Sequence, residues 1–457
     1  MTNLSEGRLQ SALWLLLATC LVGYHLMLVF SGLIPNLVSR PLHMAFILPF
    51  VLVLGAKSRA ALLSGSVLAA LGAAAAIWVA VNSDSLGDQY GFLESNFQTL
   101  VAIVLLGVTL EAARRAIGWP LPIVAGLALL YGLYGQHIPG QFGHSGTPTA
   151  SFLGTLTIAE GGIWGSLTGV SVSVVAIFVI FGAVLNAGEA GQGFMNVAAA
   201  AAGRLKGGAA KVSVISSALF GSISGSASAN VASTGAVTWP AMTNRGYPKR
   251  LSAAVEAVAS SGGQIMPPLM GAGAFVMVEL TGVPYTSIMA AALLPAFLYF
   301  LAVWFGINAY AGRFDLKGVA AEDRPERRDV IITSLFFLVP FSVLLWMFVV
   351  KYTPEYAAAL AILAGALLLF INGNLKSHRA QIIERFTSAV MNAAKQVSMI
   401  ASIILCASII IGVLSITGLG VKLTSLILEG SGGLLWPSLL LTALACLLLG
   451  MEVPTTA

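Results

Sequence analysis

Residues 220–268 read FGSISGSASANVASTGAVTWPAMTNRGYPKRLSAAVEAVASSGGQIMPP. They lie among long apolar runs, yet they are crowded with Ser, Gly, Thr, Asn and Pro. Hydrocarbon offers no partner to a backbone that leaves regular helix. Such a segment must therefore be buried in protein or line a wet cavity. Close helix packing through small residues explains part of the pattern. Paired glycines and a Pro-Pro break go beyond what packing needs. Broken helices that free amides and carbonyls near mid-membrane are how secondary transporters hold ions and solute.

Composition places the rest of the chain in a lipid bilayer. Hydrophobic residues make up 58% and charged residues 9%, against about 25% charged in soluble domains. Mean hydropathy is +0.91. The expected fold class is an all-α polytopic membrane protein with inverted repeats, re-entrant helical hairpins and broken helices. The net charge of +5 reads as a topology signal, because the basic residues occupy short loops between apolar runs. No extended basic or aromatic surface suggests a nucleic-acid partner. Cys20, Cys406 and Cys446 lie in apolar runs without metal or redox spacing and read as small buried residues.

Apolar spans are predicted near 11–33, 41–55, 61–81, 98–117, 120–137, 167–187, 288–310, 330–351, 356–372 and 396–416. With the N-terminus in the cytoplasm and 211–243 taken as a hairpin that enters and leaves on one side, the 23 Lys and Arg residues fall inside except Arg40, Lys351 and Lys422. A single crossing by 211–243 would instead put one of two basic clusters outside, Arg204/Lys206/Lys211 or Arg245/Lys249/Arg250. After the hairpin, a helix over 251–262 is expected to break at Gly262-Gly263 and Pro267-Pro268, and a half-helix over 269–282 to follow. Proline removes an amide donor and glycine permits a sharp bend, so freed carbonyls are expected there. The layout recurs near the C-terminus, where a span, an amphipathic stretch and an apolar helix lead to Gly450-Met451-Glu452-Val453-Pro454-Thr455-Thr456. Two copies in opposite orientation are the inverted-repeat signature of alternating access.

The expected division is a four-helix membrane domain over 1–117, a linking helix and external loop over 118–150, and a first transport repeat over 151–310. Connecting helices over 311–387 and the start of a second repeat over 388–457 follow. At the first hairpin tip, Ser222, Ser224, Ser226, Ser228 and Asn230 supply the oxygen ligands that hard cations prefer. Bonding back to helix carbonyls is the simpler role for each serine. Gly262, Gly263, Pro267 and Pro268 would complete the site with main-chain carbonyls. Gly450, Glu452, Pro454, Thr455 and Thr456 would form its pseudo-symmetric counterpart. Glu452 is an ionisable group expected near the bilayer midplane and would add ligand charge or carry a proton. Glu256 reads as a structural carboxylate paired with a base or an amide inside the bundle, with proton carriage as the alternative. His137 and His144 flank a Gly/Pro-rich loop and read as solvated residues rather than a metal pair. No transition metal and no other cofactor is expected beyond Na+ or H+ as coupling ion. The Ser-rich hairpin contains no Gly-x-Ser-x-Gly, and none of the five histidines lies in the broken segments, which argues against a serine hydrolase.

The segments GSISGSASANVASTG, TNRGYPKRLSAAVEA and SSGGQIMPPLMGAGAF closely resemble the large membrane subunit of TRAP transporters, best the TAXI type with fused small and large membrane subunits. Ala159-Glu160-Gly161-Gly162 and the turn 203–208 belong to the same resemblance. It covers 145–310 densely and 388–457 more loosely. It implies ion-driven import of an organic acid, often with sodium, delivered by a periplasmic TAXI-like binding protein to a bacterial inner-membrane permease that is not an enzyme. A symporter of similar architecture that needs no binding protein is the alternative. The external acidic residues Asp84, Asp88 and Glu94 would be a docking surface for the periplasmic partner. The N-terminal and linking helices would be a fixed scaffold and the hairpins a moving unit, with the solute carboxylate between the two tips. Two departures stand out: Glu452 replaces a glycine common in the family, and the chain stops at Ala457 within the second hairpin, as a truncated permease would.

Overall fold

The computed structural model describes every residue except Met1, Lys57, Leu269, Lys317, 320–323, 372–378 and 451–457. Among the described residues there are helices and no strands. Seven of these helices are long and apolar enough to cross a membrane, as expected of an all-α polytopic membrane protein. In chain order they run α1 (Thr2–Phe30), α2 (Asn36–Pro49, extended by a π turn over Phe50–Leu54), α3 (Arg59–Val81), α4 (Ser83–Gly87), α5 (Asn96–Ile117), α6 (Pro120–Tyr134) and α7 (Thr149–Thr157). Next come α8 (Ser166–Val170), a π turn over Ser171–Val175, α9 (Ala176–Ala187), α10 (Ala190–Ala202), α11 (Gly208–Ser224), α12 (Ala227–Thr243) and α13 (Lys249–Gly262). The chain continues through α14 (Ala272–Thr281), α15 (Tyr285–Arg313), α16 (Arg327–Val349), α17 (Pro354–Leu368), α18 (Arg379–Thr417), α19 (Leu419–Gly430) and α20 (Leu435–Gly450). The order of span, amphipathic helix and apolar helix is thus seen twice, as α8/α9–α10–α11 and as α18–α19–α20.

The chain forms two compact units, one of residues 1–30 and 174–393, the other of 31–173 and 394–457. The second unit shows how a broken helix is satisfied in an apolar setting. A π turn frees carbonyls from the i−4 ladder. Here the Leu52 carbonyl accepts from Arg115 Nη1 at 2.6 Å, and the same guanidinium group reaches the Ala61 carbonyl at 3.0 Å. Glu111 holds both Arg114 and Arg115 from one turn away. Gly65 makes room for this knot, since a Cβ there would lie 1.9 Å from the Leu52 oxygen. Arg40, buried on α2, donates in the same way to the Trp164 carbonyl and lies 3.6 Å from Glu160.

His144 does not face solvent freely. One ring nitrogen meets the Tyr131 carbonyl and the other accepts from the Gly146 amide, so the histidine staples the 138–146 loop to α6. Of the three cysteines, Cys406 is buried, whereas Cys20 and Cys446 are exposed. The expectation of buried cysteines fails for these two because a helix in lipid can leave an apolar face unpacked at no cost.

The first unit carries the polar segment. Helices α11 and α12 are 17 residues each, about 25 Å long at ~1.5 Å per residue and so short of the ~30 Å hydrocarbon core. The hairpin begins three residues before the expected Lys211 and turns only at Gly225-Ser226. Gly225 takes φ +58°, a left-handed conformation that favours glycine. The helix runs straight through Gly221 to Ser224. A Cβ on Gly221 would lie 2.1 Å from the Cα of Gly263, so the glycine serves the approach of α11 to the break after α13. Gly221→Ala should cost about 1–3 kcal/mol, because main chain cannot rotate out of the way. Gly107→Ala, which meets nothing within 4 Å, should be neutral or gain up to about 1 kcal/mol. Thermal midpoints of the two variants in detergent check both.

Candidate functional site

Three helices of the first unit each present a pair of polar residues four positions apart, hence on one face: Ser213/Ser217 on α11, Thr234/Thr238 on α12 and Glu256/Ser260 on α13. All six are buried. Glu256 is 1% exposed, and its carboxylate is the acceptor on which the others converge. Ser213 Oγ donates to Oε2 at 2.8 Å and Thr234 Oγ1 to Oε1 at 2.5 Å. Thr238 Oγ1 donates to Oε2 and Ser260 Oγ approaches Oε1 at 3.5 Å. Ser217 Oγ joins the set at 3.3 Å from Thr234 and 3.4 Å from Ser260. The pairing dictates the fold of the hairpin. Ser213 and Thr238 stand at equal distances from the Gly225-Ser226 turn, as do Ser217 and Thr234, so each pair meets only if the two arms run antiparallel.

Burying a carboxylate costs several kcal/mol even after relaxation. Hydrogen bonds to a charged group return about 1.5–3 kcal/mol each, so three donors are of the magnitude needed. The expected base or amide partner of Glu256 is not what the structure provides: its partners are hydroxyls, and among the described residues no cation lies within 4.0 Å of it. The i,i+4 Ser, Thr and Glu spacing was the available sequence signal for this cage. Ser213, Ser217, Thr234, Thr238 and Ser260 were not among the expected site residues.

The expected tip residues divide. Ser222 Oγ bonds back to the Leu219 carbonyl at 2.6 Å. Ser226 caps α12 through the Ala229 amide and bonds Ser228, which is exposed. Ser224 Oγ is buried and finds no hydrogen-bond partner among the described residues. Asn230 is fully buried and points the other way, donating to the carbonyls of Ser217 at 2.8 Å and Ser260 at 3.4 Å. It thereby ties both hairpin arms to the end of α13.

The break that follows α13 is built as expected of its residues. Gly262 ends the helix and Gly263 opens a single 3-10 turn to Ile265. Residues 266–268, 270 and 271 are not helical, and the Gly271 amide returns to the Gln264 carbonyl at 2.8 Å. Pro267-Pro268 is a cis peptide, and the Pro268 carbonyl accepts from the Tyr285 hydroxyl. Gly225 of the hairpin turn sits on this loop: a Cβ there would be 2.0 Å from the Met270 oxygen. In the second copy Gly450 closes α20, while Glu452, Pro454, Thr455 and Thr456 lie outside the described residues.

A short hairpin resting on a broken helix, in a bundle of apolar spans, is the arrangement that the family comparison addresses. Residues 102–457 match the family described as the tripartite ATP-independent periplasmic transporter, DctM component. The chain belongs to that family. It is 27% identical over 307 residues to the isethionate TRAP transporter permease protein DctMQ of Oleidesulfovibrio alaskensis, covering 65% of this chain and 46% of that protein. It is 35% identical over 97 residues to the C4-dicarboxylate TRAP transporter large permease protein DctM of Rhodobacter capsulatus, covering 21% and 22%. A third relative is the ectoine TRAP transporter large permease protein TeaC of Halomonas elongata, 26% identical over 205 residues, with 44% and 47% covered. The chain spans about half the length or less of these relatives.

The hydroxyl cage has a measurable consequence. Thr238→Val keeps shape and removes one donor, and should cost about 1.5–3 kcal/mol. Ser233→Ala, at an exposed site on the same helix, should stay within about 0.5 kcal/mol. Thermal unfolding of the purified variants in detergent distinguishes them.

Proposed function

We propose that this chain is the permease of a secondary active transporter that imports an organic acid handed over by a periplasmic binding protein, driven by a sodium or proton gradient. The observation that carries this reading is the seating of the hairpin turn on the broken helix. Gly225 meets the Met270 carbonyl, and the neighbouring Ser224 hydroxyl is buried without a partner among the described residues. An unsatisfied buried hydroxyl is costly and is the kind of group that a bound ion or solute completes.

Ser222, Ser224 and main-chain carbonyls of the break after α13 are the oxygen donors for a small cation. A hydroxyl that donates its proton to a main-chain carbonyl, as Ser222 does, still offers lone pairs to a cation. In this reading Ser226 and Ser228 shape the turn, and Asn230, Gly262, Gly263, Pro267 and Pro268 hold the two halves in register. Glu452, Thr455 and Thr456 with Gly450 and Pro454 are proposed as the matching half-site. Ion binding would favour the solute-competent geometry and so couple the two gradients. The names of the relatives, for isethionate, C4-dicarboxylates and ectoine, point to small organic solutes carrying an acidic group. A TAXI-type binding protein is the proposed partner, delivering to a multi-pass permease of the bacterial inner membrane. Asp84, Asp88 and Glu94 are all exposed and offer an acidic docking surface to it.

The deciding experiment is solute accumulation in proteoliposomes holding the intact transport system, with and without its binding protein, under a sodium or a proton gradient imposed separately. Accumulation that needs both the binding protein and one gradient is the expected result. Accumulation without the binding protein would make the protein a stand-alone symporter. Ser224→Val should raise the coupling-ion concentration for half-maximal uptake roughly ten-fold, equivalent to about 1.4 kcal/mol of lost binding. Reversing the charges of Asp84, Asp88 and Glu94 together should raise the binding-protein concentration required, most at low salt, where exposed charges are least screened. Unchanged requirements would remove the acidic face from the docking surface.

A further inference from the structure

The cage around Glu256 can satisfy its carboxyl group in either protonation state. A hydroxyl has one proton to donate, yet two of the three donors closest to Glu256 each have two acceptors in reach. Thr234 Oγ1 lies 2.5 Å from Glu256 Oε1 and 2.8 Å from the Asn230 carbonyl. Thr238 Oγ1 meets Glu256 Oε2 and lies 3.0 Å from the Thr234 carbonyl. With Glu256 ionised, the threonine protons point at the carboxylate. With Glu256 neutral, they turn to the main-chain carbonyls one helical turn back, and the new carboxyl O–H on Oε1 donates to Thr234 Oγ1 while Ser213 keeps donating to Oε2. Both protonation states are fully hydrogen-bonded without moving a heavy atom. The oxygens already stand at hydrogen-bond distance, so the cage suits a proton and leaves no gap among them for a metal cation.

A second observation gives this site an access route. A cavity of about 480 Å³ in the same unit is lined by Asn196, Thr238, Arg245, Arg324, Asp329 and Thr333 among others. Thr238 is therefore shared: it lines this cavity and hydrogen-bonds the buried carboxylate. The positive-inside expectation puts the Arg245 and Arg324 end of the cavity on the cytoplasmic side.

We infer that Glu256 is a proton-binding site of the hairpin, reached from this cavity through Thr238, and that its protonation state sets how tightly α11 and α12 are clamped to α13. This rests on the reading of the chain as an ion-coupled permease. The ionised carboxylate holds Ser213, Thr234 and Thr238 from both arms; the neutral acid releases the two threonines to their own helix and loosens that tie.

The other charged and titratable groups on the neighbouring elements are engaged elsewhere or exposed. On α11, Lys211 lies with its Nζ 4.7 Å from the centre of the Trp304 ring. Helix α12 and the 3-10 turn after α13 carry no titratable side chain. On α13 itself Lys249 and Arg250 are exposed. On α15 the Tyr285 hydroxyl bonds Pro268, the Tyr299 hydroxyl bonds Val258, and Tyr310 and Arg313 are exposed. At the cavity, Arg245 donates to the Ala241 carbonyl, Arg324 to the Val319 carbonyl, and Asp329 is exposed.

Infrared difference spectra of the purified transport protein, recorded between mildly acidic and mildly alkaline pH, test this without solute, binding protein or gradient. The expected result is a protonated-carboxyl stretch that titrates in the wild type and is absent in Glu256→Gln. A band that persists in Glu256→Gln, or no titrating carboxyl band at all, overturns the proposal. Thr238→Val and Ser213→Ala keep the carboxyl group and serve if Glu256→Gln does not fold. Each removes a donor to the anion, so each should raise proton affinity roughly ten-fold and move the midpoint to higher pH. An unmoved midpoint in both overturns the clamp. Ala241→Phe, which fills the cavity, should slow proton uptake after a pH jump and leave the midpoint in place; an unchanged rate overturns the route. These readouts stand whether or not uptake proves to need a binding protein, so the failure of one reading is separable from the failure of the other.

Discussion

A carboxylate with almost no access to solvent organises the first unit. Glu256 collects hydroxyl donors from α11 and α12 and carries Ser260 one turn along its own helix. Because the donors sit symmetrically about the Gly225-Ser226 turn, the same hydrogen bonds that neutralise the cost of burial also bring the two arms together. With the arms aligned, Asn230 reaches the ends of Ser217 and Ser260, Gly221 slides against Gly263, and the turn comes to rest on Met270. Each of these contacts presupposes the one before it.

The second unit meets the same constraint with the opposite charge. Its α2 ends in a π turn, and the carbonyl freed at Leu52 is taken by Arg115, itself held by Glu111. The Trp164 carbonyl before α8 is taken by Arg40. In lipid a freed carbonyl has no water to turn to. A guanidinium group, with five donors in a fixed fork, answers several at once. Charged residues make up only 9% of this chain, and these ones serve the irregular backbone rather than the surface.

Reading the chain in advance worked where the physics is local. Seven of the ten expected spans are helices long and apolar enough to cross a membrane, while 98–117, 120–137 and 356–372 hold helices that are not among those seven; the break followed from Gly-Gly and Pro-Pro. It worked less well where the outcome depends on what comes near. Gly221 is a contact surface within a continuous helix, a role that only the approach of Gly263 defines. The serine-rich tip drew attention as the site, yet Ser222 and Ser226 spend their hydroxyls on their own helices. The deepest polar cluster lies lower in the hairpin, at Ser213, Thr234 and Thr238, where the spacing of four was visible but its convergence on one carboxylate was not.

By itself the sequence determined that this is a helical membrane protein, where its long apolar helices lie to within a few residues, and which segment departs from regular helix. Those are properties of hydrophobic runs and of residues that cannot continue a helix, and they need no knowledge of neighbours. The tertiary structure decided which polar groups share a site, that Glu256 meets hydroxyls rather than a base, and which glycines serve contact rather than bending. Three helix faces must first be brought within hydrogen-bond distance before a carboxylate can choose among partners, and that choice belongs to packing.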